Sequence, residues 1–273
     1  MFVIEFFTLK VAFKMKTNFE NIVFELKNVA VSFGSKTLWE DISFEIKKGD
    51  FIAIAGINGS GKTTLIKCLA GLNQNYKGDI LFYDKNLLSY TPRILARKRS
   101  FVAQISEASL PFTTEEILTM GAEVGSSSIL SKSEIFSEIQ NVSKFFEISH
   151  LNKRIFSTLS GGEQQKVMLA RAFAQSKEVM LLDEPDSSLD PGQSVDFFKK
   201  LSDAAKKNQS TVLVVTHNLD VIINFFPKMI LIDNKSFKIG SPHEILYKYA
   251  SKVFNAQIFT GEMSKIGKYA LIR

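Results

Sequence analysis

Apolar and polar residues alternate through NIVFELKNVAVSF (21–33) and DISFEI (41–46), the period of a strand with one buried face. An unbroken apolar run, FIAIA (51–55), follows and reads as a buried strand. GDILFYD (78–84) and RSFVAQ (99–104) continue the strand pattern. From about Thr113 to Gln175 the period lengthens to that of helices, in TTEEILTMGAE, SKSEIFSEIQNVSKFFE and SGGEQQKVMLARAFAQ. Strands return as EVMLLD, TVLVVTH and KMILID, interleaved with the helices PGQSVDFFKKLSDAAKK and LDVIINFF. That alternation predicts an α/β core built on a parallel sheet and interrupted by a helical insertion.

Between FIAIA and the next helical pattern stands GINGSGKTTLIKCLAGL, Gly56 to Leu72. Leu65, Ile66, Leu69, Ala70 and Leu72 supply a helix-spaced apolar face, so a strand ends in glycines and restarts as a helix. Backbone N–H groups and the positive helix end then point at one spot, which favours an anion. Gly56, Gly59 and Gly61 remove side chains that would keep a phosphate away, Lys62 is placed to reach terminal phosphates, and Thr63 is a Mg²⁺ ligand candidate. The spacing fits G-x-x-x-x-G-K-[ST], the P-loop, in its required strand–loop–helix setting. The bland reading is a glycine turn.

Composition narrows the setting. The 273 residues are 45% hydrophobic and 23% charged, ordinary for a globular protein, and the net charge of +6 is spread along the chain as on a solvated surface. The single cysteine, Cys68, excludes an intrachain disulfide, is expected in the core, and suits a reducing compartment. No window approaches the roughly 18 to 20 apolar residues that span a bilayer. The opening MFVIEFFTLKVAF carries Glu5 and lacks a basic flank and a small-residue cleavage pattern, so no signal peptide is expected. Met15 is an alternative start, and residues 1–21 are read as an extension.

Val179 to Leu182 run straight into Asp183 and Glu184. A buried strand ending in two carboxylates delivers them to the sheet edge where P-loop enzymes hold Mg²⁺. Asp183 fits the metal side, and Glu184, one residue on, points to the other side of a strand, where it orients or deprotonates water. LSGGEQQ (159–165) reads as a helix start, with Ser160 as N-cap and Glu163 completing a capping box. That structural reading suffices on its own, yet two glycines at a positive helix end also make a second anion site. Gln104 and His217 stand at the ends of strand patterns on the P-loop side, although each alone reads more often as a polar residue at a strand end than as a catalytic one; His150 and His243 have no such placement and read as surface or packing residues.

In chain order the sequence has GINGSGKTT, the glutamine of FVAQ, LSGGEQQ, VMLLDEP, SSLD and VVTHN. Together these resemble an ATP-binding cassette (ABC) ATPase subunit across nearly all of residues 22 to 250. The resemblance implies a P-loop NTPase (RecA-like) core with an N-terminal antiparallel β subdomain and an inserted α-helical subdomain at about 107–175, followed by a tail, 251–273. It implies ATP and Mg²⁺ as ligands and a head-to-tail homodimer with ATP sandwiched at the interface. Lys62, Thr63 and Thr64, with the loop positions Asn58 and Ser60, hold phosphates and Mg²⁺, and Gln104 reaches the metal and the attacking water. Asp183 supports Mg²⁺, Glu184 is the base, and His217 contacts the γ-phosphate. Ser160, Gly161 and Gly162 act in trans, Asp190 communicates across the dimer, and Phe33 stacks on adenine, although packing alone would explain one of 24 phenylalanines.

TPRILARKRSFVAQ, PFTTEEILTMG and GSPHEIL resemble the importers of iron-siderophore, haem and cobalamin, with zinc and manganese importers close by. The implied partners are integral membrane permease subunits and, indirectly, an extracytoplasmic binding protein, with no nucleic acid; the implied location is the cytoplasmic face of the inner membrane. Two departures stand out: MGAEVGSSSILSKSE lacks the arginine-rich stretch common after that glycine, and Asp186 stands where threonine is common. Another ABC system, importer or exporter, and a non-transport ABC ATPase are the alternatives. The latter is expected to carry a coiled-coil insertion or tandem cassettes.

Overall fold

The alternating N-terminal segments form a long antiparallel ribbon, β1 (Ile22–Phe33) against β2 (Lys36–Lys47), extended by β4 (Lys77–Phe82) and β5 (Lys85–Asn86) in the order β2-β1-β4-β5. The computed structural model describes residues 21–34, 36–103, 110–126, 131–233, 236–255, 258–263 and 267–272. A second sheet has the order β10-β9-β3-β8-β7-β6, comprising β3 (Phe51–Gly56), β6 (Arg99–Val102), β7 (Val179–Asp183), β8 (Thr211–Val215), β9 (Lys228–Asp233) and the edge strand β10 (Ser236–Gly240). Every pairing in it is parallel except β9 with β10. The short strand β10 was not anticipated from the pattern.

The central strand β3 is buried at every position, as its unbroken apolar run requires in a parallel sheet covered on both faces. Its residues alternate between two cores. Ile52 and Ile54 join Leu181, Leu213 and Val215 beneath α1 (Lys62–Leu69) and the antiparallel sheet. Phe51, Ala53 and Ala55 join Leu182, Val212 and Val214 beneath α5 (Gly161–Gln175) and α6 (Pro191–Asn208).

Helix α1 is shorter than its apolar spacing suggested. Gly71 takes φ +67°, its N–H donates to Cys68 O at 2.8 Å and the Leu72 N–H donates to Lys67 O at 2.9 Å, a Schellman ending. Leu72 therefore lies outside the helix and is 60% exposed. Helix α2 (Pro92–Lys98), capped by Thr91 with Pro92 in its first turn, leads into β6. Helices α3 (Thr114–Gly125), α4 (Lys132–Phe145) and α5 form the helical insertion, and each begins with a complete capping box, at Thr113/Glu116, Ser131/Glu134 and Ser160/Glu163. After α7 (Leu219–Phe225) and α8 (Pro242–Ile245), a hairpin of β11 (Ile258–Met263) and β12 (Gly267–Ile272) lies within the tail, with β12 beside α7.

Phe198 on α6 is fully buried, with its ring 5.7 Å from Phe226 and 5.0 Å from Phe197. Phe198→Ala is expected to cost about 3–5 kcal/mol, because transfer and cavity terms add in a packed core. Denaturant titration checks this as a lower midpoint at unchanged slope. A loss under about 1 kcal/mol would show that α6 collapses onto the space and that the ring is not a structural anchor.

Candidate functional site

The glycine loop between β3 and α1 is tightly constrained at both ends and open in the middle. A Cβ on Gly56 (φ +152°) would stand 2.6 Å from Ile232 O, and one on Gly61 (φ +102°) would stand 2.5 Å from Trp39 Nε1. Only glycine fits at either position. A Cβ on Gly59 would meet nothing within 4 Å, so this position opens outward. Gly61 is the N-cap of α1 and provides no side-chain cap, which leaves the first N–H groups of the helix for an external acceptor. Asn58, Gly59, Gly61, Lys62, Thr63 and Thr64 line a cleft of about 430 Å³, with Leu38 and Glu184 completing its wall.

Lys62 is 6% exposed, and its Nζ donates to Gly56 O and Ile57 O, both at 3.0 Å. Those two bonds leave one ammonium proton for a ligand. Burial lowers its pKa, while Glu184 and Asp183 pull in the opposite direction. Ser60 Oγ is buried without a hydrogen-bond partner among the described residues.

Strand β7 lies one strand away from β3, across β8, so its carboxyl end opens beside the loop. Asp183 is 2% exposed and accepts a hydrogen bond from Thr63 Oγ1 at 3.2 Å. Burial raises the pKa of Asp183; the Thr63 bond lowers it, Glu184 raises it, and Lys67 and Lys62 lower it. A hydroxyl and a carboxylate in contact beside a phosphate cradle are hard oxygen donors suited to Mg²⁺, which takes few protein ligands and completes its shell with substrate oxygens and water. No group of three or more His, Cys, Asp or Glu that could hold a metal ion occurs among the described residues.

Glu184 sits just past the end of β7 at φ +49°, the left-handed region, and its N–H donates to Val215 O at 3.0 Å. Its side-chain direction is therefore set by this backbone twist, rather than by the strand alternation that the sequence suggested. A non-glycine residue held this way stores strain that the surrounding structure must sustain. Its Oε1 lies 2.9 Å from Nε2 of His217, which follows β8 by two residues and is 45% exposed. The parallel order β3-β8-β7 thus brings Lys62, Thr63, Asp183, Glu184 and His217 to one edge.

Ser160, Gly161 and Gly162 begin α5 and do not line that cleft. Glu163 Oε2 accepts from Ser160 N at 2.8 Å and from Ser160 Oγ at 2.9 Å, and its pKa is lowered by these bonds, the backbone one first. Arg154 stands 3.6 Å from the same carboxylate. Asp190 is the N-cap of α6 and accepts from Gln193 N at 2.8 Å. Gln104 lies outside the described residues, as does the side chain of Phe33, whose backbone closes β1.

Three participants escaped the sequence reading. Leu38, on β2, enters the cleft wall. Gln165, fully buried on α5, donates from Nε2 to Pro185 O at 3.0 Å. Asp186 accepts from Thr216, the neighbour of His217, at 3.2 Å. The signal for Asp186 was its departure from the usual threonine; the other two carried none.

Comparison with known proteins identifies the family. The family model described as ABC transporter matches residues 39–187. A hemin import ATP-binding protein, HmuV, of Rhodopseudomonas palustris is 34% identical over 204 residues, covering 71% of this chain and 75% of the relative. A molybdate import ATP-binding protein, MolC, of Haemophilus influenzae is 30% identical over 200 residues, covering 73% and 74%. Among solved structures, an inward-facing metal-chelate type ABC transporter superposes with a TM-score of 0.78 at 26% identity, covering 93% of this chain and 97% of that one. With the P-loop, the paired carboxylates and the histidine at one sheet edge, this chain belongs to the ABC transporter family as an ATP-binding subunit with the P-loop ATPase fold.

Proposed function

We propose that the chain hydrolyses ATP as one half of a head-to-tail pair docked on a membrane permease, and that the pair drives import of a metal chelate of the haem, iron–siderophore or cobalamin kind. The observation that carries the pairing is the separation of the two anion-seeking ends: the cleft is walled by Asn58 to Thr64, Leu38 and Glu184, without Ser160, Gly161 or Gly162. A second copy supplies the missing wall. In this reading the permease is a separate partner and this chain sits at the membrane's cytoplasmic face; no helix among the described residues is long and apolar enough to cross a membrane. An extracytoplasmic binding protein delivers the cargo. The named cargo of the hemin relative and the metal-chelate structure support the chelate reading.

In this reading the loop N–H groups and the Lys62 ammonium bind the β- and γ-phosphates, and Leu38 excludes water from one side. Thr63 and Asp183 hold Mg²⁺, which neutralises charge on the phosphate oxygens when bound. Glu184 takes the proton of the attacking water. His217, 2.9 Å from Glu184, keeps that carboxylate aimed and contacts the γ-phosphate side. Catalysis then rests on positioned charge and positioned water.

Purification of the tagged chain from its own membranes under mild detergent tests the reading. An integral membrane protein is expected to accompany it, and the reconstituted complex is expected to hydrolyse ATP faster when haem or a ferric siderophore is supplied with its binding protein. Recovery of no membrane protein overturns the docking. Stimulation by molybdate alone overturns the chelate cargo and favours the oxyanion reading that the MolC relative supports, and stimulation by zinc alone overturns it in favour of zinc import.

A further inference from the structure

Two residues beyond Glu184, Asp186 turns a half-buried carboxylate inward instead of toward the cleft. Thr216 Oγ1 donates to both of its oxygens, at 3.2 and 3.3 Å, and Ser194 Oγ donates to Oδ2 at 3.3 Å. Both hydroxyl residues are nearly inaccessible, Thr216 at 1% and Ser194 at 3% exposure. A carboxylate partly removed from water is costly unless it is hydrogen-bonded, and here hydroxyl donors from two separate elements bond it.

Those two elements carry the moving parts of the proposed mechanism. Thr216 is the residue before His217, and its Oγ1 also accepts from Asn218 N at 3.2 Å, while Asn218 Oδ1 caps α7 through Val221 N at 3.1 Å. The histidine is thus held between two anchored neighbours. Ser194 lies in the first turn of α6, its N–H donating at 2.8 Å to the carbonyl of Asp190, the N-cap of that helix. The preceding Pro185 carbonyl is gripped by Gln165 from α5, the helix that begins at Ser160. The Glu184–Pro185–Asp186 turn therefore touches the elements bearing His217, Asp190 and Ser160.

We propose that Asp186 is a positioning residue that ties the turn carrying His217 to the start of α6, so that the histidine stays in line with Glu184 only while the Asp190 end of α6 is in place. The tie rests on Glu184 and His217 acting as proposed above.

Thermodynamic cycles test it, with turnover, KM for MgATP and the ring signals of His217 in a histidine NMR spectrum as readouts; the chain has only three histidines to assign. Asp186→Leu and Thr216→Val are each expected to lower kcat about tenfold with KM within about twofold, and the double variant to be no worse than the poorer single one, because both cut one link. Ser194→Ala is expected to lower kcat and to be similarly non-additive with Asp186→Leu. The ring signals of His217 should shift in all of them, while those of His150 and His243 stay. Asp186→Asn, which keeps one acceptor, is expected to recover part of kcat. Thr216→Val keeps the buried volume, so it reports on the bond even if Asp186→Leu folds poorly. Unchanged kcat and ring signals in Thr216→Val overturn the tie to the histidine, unchanged values in Ser194→Ala overturn the tie to α6, and multiplicative losses overturn the shared link. Glu184→Gln, run alongside, separates the two readings: if it remains active the base assignment fails, whereas an inactive Glu184→Gln beside a fully active Asp186→Leu removes the tie alone.

Discussion

Lys62→Ala is expected to lower ATP turnover by about 10²–10³-fold, the scale on which preorganised charge stabilises a transition state in a water-poor site. Two losses coincide at this residue. The ammonium is the one cation walling the cleft among its described lining residues, so the γ-phosphate loses its charge partner. The same nitrogen holds Gly56 O and Ile57 O at 3.0 Å, so the loop also loses the bonds that keep its N–H groups aimed outward. Binding should fall together with turnover, and calorimetry with a non-hydrolysable ATP analogue reads the first while phosphate release reads the second. Lys62→Met, which keeps the buried stem and removes the charge, should lose nearly as much, since the charge and its bonds carry the effect. Melting curves without nucleotide should stay close to the parent. Full activity in Lys62→Met sinks the assignment of this loop as the phosphate cradle.

The distribution of what sequence could and could not anticipate follows from the range of the forces. Asp183 and His217 stand at or just past the ends of apolar strand patterns and Lys62 follows one through the glycine loop, and a parallel sheet brings strand ends to one edge, so Lys62 and Asp183 were legible from spacing, while the role of His217 needed the family resemblance. The capping box at Ser160 was legible because its two partners are three residues apart. The ending of α1 was written in Gly71, yet the apolar Leu72 outweighed it in the pattern, which weighs side chains and not the hydrogen bonds of a Schellman turn. The left-handed backbone of Glu184 had no local mark, because it depends on Val215 O in the neighbouring strand. Gln165 and Asp186 find partners 20 and 30 residues away, and nothing in their own neighbourhoods names Pro185 or Thr216. Strand β10 and the β11–β12 hairpin are short antiparallel pairs, whose stability comes from the surface they meet more than from their own pattern.

Glu184→Gln is expected to slow hydrolysis by about 10²–10⁴-fold, the usual worth of a positioned general base, while leaving ATP binding intact. Glutamine keeps the shape and can still bond His217 across the 2.9 Å contact, so the cradle of Asn58 to Thr64 is undisturbed and only proton acceptance is lost. ATP then persists. If each nucleotide is gripped by the loop of one chain and by Ser160 to Gly162 of another, unhydrolysed ATP should hold the pair together, and light scattering should report twice the monomer mass with MgATP and one mass without it. Ser160 is the residue that decides between this and a dimer of another kind. Its hydroxyl donates to Glu163 Oε2 at 2.9 Å and can turn to an incoming phosphate, as the exposed N-cap of α5 should. Ser160→Arg puts a long side chain where the phosphate must approach and removes the cap, at a cost of about 1 kcal/mol to the helix. Ser160→Ala removes the cap without the bulk. In the Glu184→Gln background, Ser160→Arg should restore the monomer at unchanged ATP affinity, whereas Ser160→Ala should only shorten the life of the dimer. A Glu184→Gln protein that stays monomeric at high concentration rules out pairing of the isolated chain, and a Ser160→Arg dimer as long-lived as its parent rules out any role for this loop across the interface.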